Sequence, residues 1–421
     1  MSDIPCGIEE IKLENDAEFM ADPYPSFAAW RQAGPVHKGT TPDGSPIWLV
    51  TRYKDIKAAL SDPRLSLDKN NSKGGYIGFQ LPPMLDANLL NMDAPDHTRI
   101  RRIVSKAFTK RRVDGLRPRV EELAHGLLDA LAPGGEADLV EAFAVPLPIA
   151  VIGELLGVET KDAERFRSRA SVLIAPAQAG PAEARQAIKD IAVFFAELVA
   201  AKRAAPAGDD LLSLLIAMRD VEDRLSEEEM VSLAFLILWA GYEATVHLLG
   251  NAMFTLLCHP DTLAMLRESP ELIPAAVEEV LRFAPSTPFS IRRFAAEDVT
   301  IGGVLIPAGE TVLLGLASAA RDEEVFTDPD GFSLAEAENG HLAFGHGAHY
   351  CLGAPLARLE AQVALEILLS RCRDLAPARP LDSLVWQASW RQRGLTELPV
   401  TLTVAPTVAP TVAPTVAPRS P

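Results

Sequence analysis

The sequence predicts a mostly α-helical protein, and three observations carry that prediction. Its residues are 48% hydrophobic but only 6% aromatic, with Ala and Leu dominant, and both are good helix formers. One apolar run, over residues 226–258, is far longer than any ordinary strand. The β-like stretches are few and short, and Pro and Gly punctuate the rest. At 421 residues the chain could hold more than one domain, and its apolar fraction is enough to fill a large core.

Taken in order, residues 35–51 read as two strands around Asp43-Gly44, a hairpin-turn dipeptide. Residues 53–60 follow as a helix that stops before Asp62-Pro63. Residues 66–92 show no period and form a long irregular segment, a kind that often serves function. A helical pattern covers 97–131. Between His97 and Val113 it carries Arg99, Arg101, Arg102, Lys106, Lys110, Arg111 and Arg112, and no acid. The ordinary reading of such a run is a solvated helix face. The functional reading is a docking patch for an acidic partner and a source of counter-charge for an anionic cofactor.

Residues 139–157 and 161–203 read as helices broken by Pro146, Pro148, Pro176 and Pro181. Ser226 and Glu229 form a capping box, with Leu225 and Met230 as a hydrophobic staple. They open a helix of roughly 30 residues, about 45 Å long at 1.5 Å per residue, enough to cross the whole molecule. Residues 273–283 form another helix. Residues 299–314 are β-like, with turns at Gly302-Gly303 and Pro307-Ala308-Gly309, and the last helix follows Cys351. Residues 403–418 repeat Thr-Val-Ala-Pro four times. A Pro at every fourth position excludes a helix or a regular ladder. A single domain over 1–402 is therefore expected, followed by an extended, disordered tail over 403–421.

The formal net charge of −17 puts a nucleic-acid binder at a disadvantage. Cys6, Cys258, Cys351 and Cys372 are irregularly spaced in a long chain, which argues against a disulfide framework. No signal peptide is readable, and the most apolar stretch, 231–242, ends at Glu243, short of a bilayer span. The expectation is a cytoplasmic monomer that contacts neither membrane nor nucleic acid.

The chemistry concentrates in the segment FGHGAHYCLG, from Phe344 to Gly353. A buried structural cysteine is the usual fate of a lone Cys. A zinc site is a second reading, since His341, His346, His349 and Cys351 lie close in sequence, although zinc favours paired ligands from separate turns or helices. The third is a single thiolate held in a Gly-rich loop against a flat cofactor, with Gly345, Gly347 and Gly353 allowing close approach of the backbone. The helical pattern from Leu352 onward puts Cys351 at a helix N-terminus, where dipole and free amides favour a thiolate.

On these residues the chain resembles a bacterial cytochrome P-450, a soluble heme-thiolate monooxygenase. The family's heme loop, Phe-x-x-Gly-x-His/Arg-x-Cys-x-Gly, is met at Phe344, Gly347, His349, Cys351 and Gly353. The likeness runs from Asp22-Pro23-Tyr24-Pro25 to Arg393-Gly394-Leu395. It implies the family's fold, a helical triangular prism with a small β region, and heme b with Cys351 as axial ligand to the iron. It implies that Glu279 and Arg282 form a buried structural pair. The Arg that usually joins them falls at Gly331, and His341 is the candidate substitute. It implies that His97, Arg101, Arg293 and His349 bind the heme propionates. In AGYEAT (Ala240 to Thr245) it makes Glu243 the acid of a proton relay, puts proton delivery near Glu243 and Thr245 beside Ala244, and bends the helix at Gly241 to make room for oxygen. The family's usual Thr is here Ala244, with Thr245 one position on. One position is a rotation of about 100°, so Thr245 does not simply replace the missing hydroxyl. Macrolide-ring hydroxylases share this exception, with a substrate hydroxyl and ordered water thought to complete the relay.

The resemblance therefore implies an O2-dependent monooxygenase that hydroxylates a hydrophobic small molecule, with a polyketide- or macrolide-type secondary metabolite favoured. Electrons would come from a ferredoxin and its NAD(P)H-dependent reductase, docking on the 101–112 patch. The pocket would be lined by the 66–92 and 165–190 regions, Trp239, Ala240, Ala244, Phe289, Ser290 and Ile291. The alternatives are an epoxidase or an oxidative-coupling enzyme of the same family, and a non-catalytic heme-binding sensor.

Overall fold

The computed structural model describes residues 10–73, 81–131, 135–174, 176–205, 208–221 and 224–406. Helices dominate, and they gather around the long helix Glu227–Cys258. Its start is the capping box expected from sequence. Glu229 N–H donates to Ser226 Oγ at 3.0 Å, and Ser226 N–H donates to Glu229 Oε2 at 2.8 Å. The helix packs against Pro146–Leu156, Ile273–Phe283 and Ala354–Arg371. The apolar stretch does not end at Glu243, as the sequence suggested. By length and composition the helix could cross a bilayer, but 78% of its most apolar window is buried within the protein, as in a core helix.

The β structure is small. A six-stranded mixed sheet runs in the order Ile11–Lys12, Val36–Thr40, Pro46–Val50, Thr311–Leu314, Arg293–Ala295, Leu65–Ser66. Its hairpin turns at Gly44, with φ 78°, as Asp43-Gly44 predicted. A three-stranded sheet joins Ala376–Pro377, Pro399–Leu402 and Gly135–Asp138.

The structure departs from the sequence reading in several places. The 97–131 pattern divides into Asp96–Val104, Lys110–Gly115 and Arg117–Leu131. Pro146 and Pro176 begin helices rather than breaking them, because a first-turn Pro removes an N–H that has no helical partner anyway. The first unit of the terminal repeat is packed: Val404 is buried and bridges Cys372, and the Ala405 N–H donates to the Arg371 carbonyl. The described residues thus run to 406, four beyond the boundary expected at 402. The rest of the repeat, 407–421, and residues 74–80 of the irregular segment lie outside the described residues.

Candidate active site

Cys351 lies in the turn just ahead of the helix Ala354–Arg371. Its N–H donates to the Phe344 carbonyl at 2.9 Å, closing the glycine-rich loop between them. Gly347 has φ 74°, and a Cβ there would come within 2.8 Å of Ser61 Oγ and 3.1 Å of the Leu60 carbonyl, so no larger residue fits. The Cys351 side chain is exposed, yet burial by surrounding protein pushes its thiol pKa up. The thiol is thus reachable from outside while protein packs closely around it. The Gly353 and Ala354 amides, with Arg101 and Arg358, pull toward the thiolate.

Four residues from three separate elements converge near Cys351. The His97 and His349 rings lie 3.9 Å apart between centroids. Burial pushes the His349 pKa down to about 4, and His97, Arg293 and Arg101 add to the fall. His97, Arg101 and Arg293 are also held below their ordinary values, each mainly by burial. Arg101 donates to the Tyr350 carbonyl at 2.5 Å. His97 Nε2 and Arg293 Nε are buried with no partner. A buried cluster of cations and imidazoles with orphaned donors calls for anionic oxygens. The two propionates of a heme whose iron rests on Cys351 fit this donor set. The zinc reading finds no support, since no group of three His, Cys, Asp or Glu poised to hold a metal occurs among the described residues.

Glu279 and Arg282 form the expected buried pair. Two charge-assisted bonds of 2.8 and 2.7 Å join them at 0% and 1% side-chain exposure. The missing third cation is replaced by backbone. Arg282 donates to the Gly331 carbonyl at 2.6 Å and the Pro329 carbonyl at 2.8 Å, and Glu279 accepts from the Ser333 N–H at 2.8 Å. His341 does not join them, contrary to expectation. Its Nε2 lies 3.1 Å from Glu278, which also accepts from Arg358 at 2.6 and 2.8 Å. Burial raises the Glu278 pKa, but Arg358 and His341 outweigh it and hold the carboxyl well below its usual range. Arg358 also donates to the Tyr350 hydroxyl and lies 4.6 Å from the Phe344 ring centre, bracing the cysteine loop. This brace was missed in sequence, where Glu278 was masked by its neighbour Glu279.

On the long helix, Ala240 is exposed and Ala244 half-buried, although most residues around them are buried. They stand about 40° apart on the helical wheel, on the less buried side of the helix. Thr245 is about 140° from Ala240 and buried. Its hydroxyl donates back to the Gly241 carbonyl at 3.1 Å, so it is turned away from that side. The helix runs on without a break at Gly241. A Cβ at Gly241 would lie 2.6 Å from Ile152 Cδ1, so the glycine allows close helix packing here. Glu243 is buried, and burial lifts its pKa to about 7, against a hydrogen bond from Trp239 and the charge of Arg391. Phe289, expected in the pocket, is instead 3% exposed and packs edge-on against Phe27 and tilted against Trp390. Ser290 uses its hydroxyl on the Ile291 carbonyl and the Leu314 N–H, and Ile291 is 45% exposed. Two other buried groups went unread in the sequence. His247 has its pKa pushed down to about 4 by burial, and Glu360 has its pKa pushed well above the usual carboxyl value by burial, with both oxygens unpartnered.

The 96–115 segment presents Arg102, Lys106, Arg111 and Arg112 as exposed cations with no ion pair among the described residues, while Lys110 pairs with Asp114. A surface concavity of about 670 Å³ adjoins it, lined by Arg99, Arg102, Lys106 and Glu229 among others, and contains none of the residues around Cys351.

A family model described as Cytochrome P-450 matches residues 164–382. The chain is 45% identical over 386 residues to cytochrome P-450 monooxygenase PikC of Streptomyces venezuelae, covering 91% of this chain and 92% of that protein. It is 43% identical over 403 residues to 6-deoxyerythronolide B hydroxylase of Saccharopolyspora erythraea, covering 93% and 98%. Among solved structures, the tirandamycin C-bound P-450 monooxygenase TamI superposes with a TM-score of 0.87 at 41% identity, covering 93% of this chain and all of that one.

Proposed function

The chain belongs to the cytochrome P-450 family and is a heme-dependent monooxygenase, and on that premise we propose that it hydroxylates a polyketide- or macrolide-type molecule with electrons from a ferredoxin. When bound, heme b supplies an oxygen-activating iron whose thiolate ligand favours O–O cleavage. Cys351 would hold that iron, with two amides and Arg101 and Arg358 favouring its thiolate against the burial that raises its pKa. His97, Arg101, Arg293 and His349 would hold the propionates.

The single observation carrying the substrate reading is Ala244, a methyl group where a relay hydroxyl is usual, on the less buried side of the long helix. Glu243 can carry a proton near neutral pH. With no hydroxyl at 244, and Thr245 turned onto the Gly241 carbonyl, a hydroxyl-bearing substrate and an ordered water complete the path. The relative that acts as 6-deoxyerythronolide B hydroxylase supports this substrate class. The exposed Arg102, Lys106, Arg111 and Arg112 would steer an acidic ferredoxin, served by a NAD(P)H-dependent reductase, in a chain whose net charge is −17. Free Cys258, Cys351 and Cys372 suit a reducing, cytoplasmic setting.

The test is a screen of polyketide lactones for substrate-induced spin-state shifts, followed by turnover under ¹⁸O2 with NADPH and a surrogate ferredoxin system. A product gaining one labelled hydroxyl supports the proposal. An epoxide, or a product that loses hydrogen without gaining oxygen, overturns the hydroxylation reading.

A further inference from the structure

The long helix buries a histidine for which the relay, as described, has no use. His247 lies four residues after Glu243, and Trp239 four residues before it. Residues at this spacing are neighbours on a helix face, with Cβ atoms about 5–6 Å apart. Helical side chains lean toward the N-terminus, so the His247 ring lies over the turn that carries Glu243. On its other side the ring meets the 386–395 hairpin, where a Cβ on Gly394 would come within 2.1 Å of Nδ1. The glycine leaves room for the ring and nothing more. The ring is 4% exposed, and its Nε2 is buried with no hydrogen-bond partner.

The two neighbours of Glu243 differ in kind. An indole N–H can only donate, so Trp239 suits the ionised carboxylate and offers nothing to the O–H of the protonated acid. A neutral imidazole protonated at Nδ1 presents a lone pair at Nε2. We propose that His247 is the hydrogen-bond acceptor of the protonated Glu243 carboxyl, which moves from the Trp239 indole to the His247 imidazole when it gains its proton. The proton stays on the Glu243 oxygen, and no bond to it is broken by the move. Burial keeps His247 neutral and therefore an acceptor. The other groups facing the carboxyl are Arg391 of the hairpin, which favours the ionised form, and Tyr242, whose own pKa Glu243 raises and Arg167 lowers.

The inference deepens the reading of Glu243 as the relay acid, but its test does not pass through turnover. Infrared spectra of the substrate-free holoenzyme are recorded across pH, and the carbonyl band of protonated Glu243 is identified by its loss in Glu243→Gln. In the wild type the band should lie at the low frequency of a carboxyl that donates a hydrogen bond. In His247→Phe and His247→Leu it should move to higher frequency, with its midpoint displaced to lower pH, since the protonated form has lost its acceptor. His247→Gln, which can place an oxygen near the Nε2 position, should restore both. A free-carboxyl frequency in the wild type overturns the proposal, as does an unmoved band and midpoint in the Phe and Leu variants. If the band behaves as expected while Glu243→Gln retains coupled turnover, the relay reading fails and this inference stands.

Discussion

Glu243 gives the sharpest quantitative prediction. Burial lifts its pKa from 4.5 to about 7. A relay acid works only when protonated, so about ten carboxyls in eleven are competent at pH 6 and about one in eleven at pH 8. Coupled turnover, measured as product per NADPH consumed and as kcat, should therefore fall about tenfold across that range. Ferredoxin reduction is followed separately at constant ionic strength, so that a change in docking does not pass for a change in proton delivery. Glu243→Gln should be slow and flat across the same pH range. The raised pKa also has a thermodynamic sign. The folded state holds the proton more tightly than the unfolded state, so stability falls as pH rises from 4.5 to 7 and is constant on either side. The whole effect is roughly 3 kcal/mol for a shift of about 2.5 units. Glu243→Gln should lack that slope. A wild-type rate that is flat between pH 6 and 8, or a Gln variant that keeps the wild-type slope, refutes the assignment.

Three further outcomes follow from the geometry. Arg282→Ala leaves the Glu279 carboxylate buried at 0% exposure without its cation, at a cost of roughly 3–5 kcal/mol; the Soret absorbance per unit protein should collapse, and normal heme content would sink the argument. Reversing Arg102, Lys106, Arg111 and Arg112 to Glu should lower kcat/KM for an acidic ferredoxin by about tenfold or more at low salt, with the difference shrinking as salt is added; unchanged, salt-insensitive kinetics would count against the docking face. Ala244→Thr should leave coupled turnover on the true substrate no better than wild type, because the substrate's own hydroxyl already completes the relay; a severalfold gain would remove substrate assistance from the mechanism.

Much of the site was legible in sequence because its signals are local. The loop from Phe344 to Gly353 sets Cys351 among its glycines within ten residues, and the capping box at Ser226 marks the long helix to the residue. The spacing of Glu279 and Arg282 puts them on one helix face. The 3.6-residue period sets Thr245 about 100° from the position where the hydroxyl is usual, and in the structure its hydroxyl donates to the Gly241 carbonyl.

What the sequence left open depends on groups brought together from distant parts of the chain. His97, Arg101, Arg293 and His349 come from two helical segments and a strand, and only folding sets them close enough to act on one another. Gly331 carries no side chain to pair with Glu279, yet its carbonyl serves Arg282, because a backbone acceptor has no signature in residue type. Phe289 and Ile291 look alike as pocket residues until packing decides that one fills the core and the other stays exposed. The same holds for Glu243 and His247. Residue type says that each can titrate, but burial and the nearest donor or acceptor determine which form each holds near neutral pH. The sequence by itself determined the family, the cysteine loop and the long helix that bears Glu243. Tertiary structure decided the charge balance around them, because electrostatic energy depends on distance and desolvation, neither of which is written along the chain.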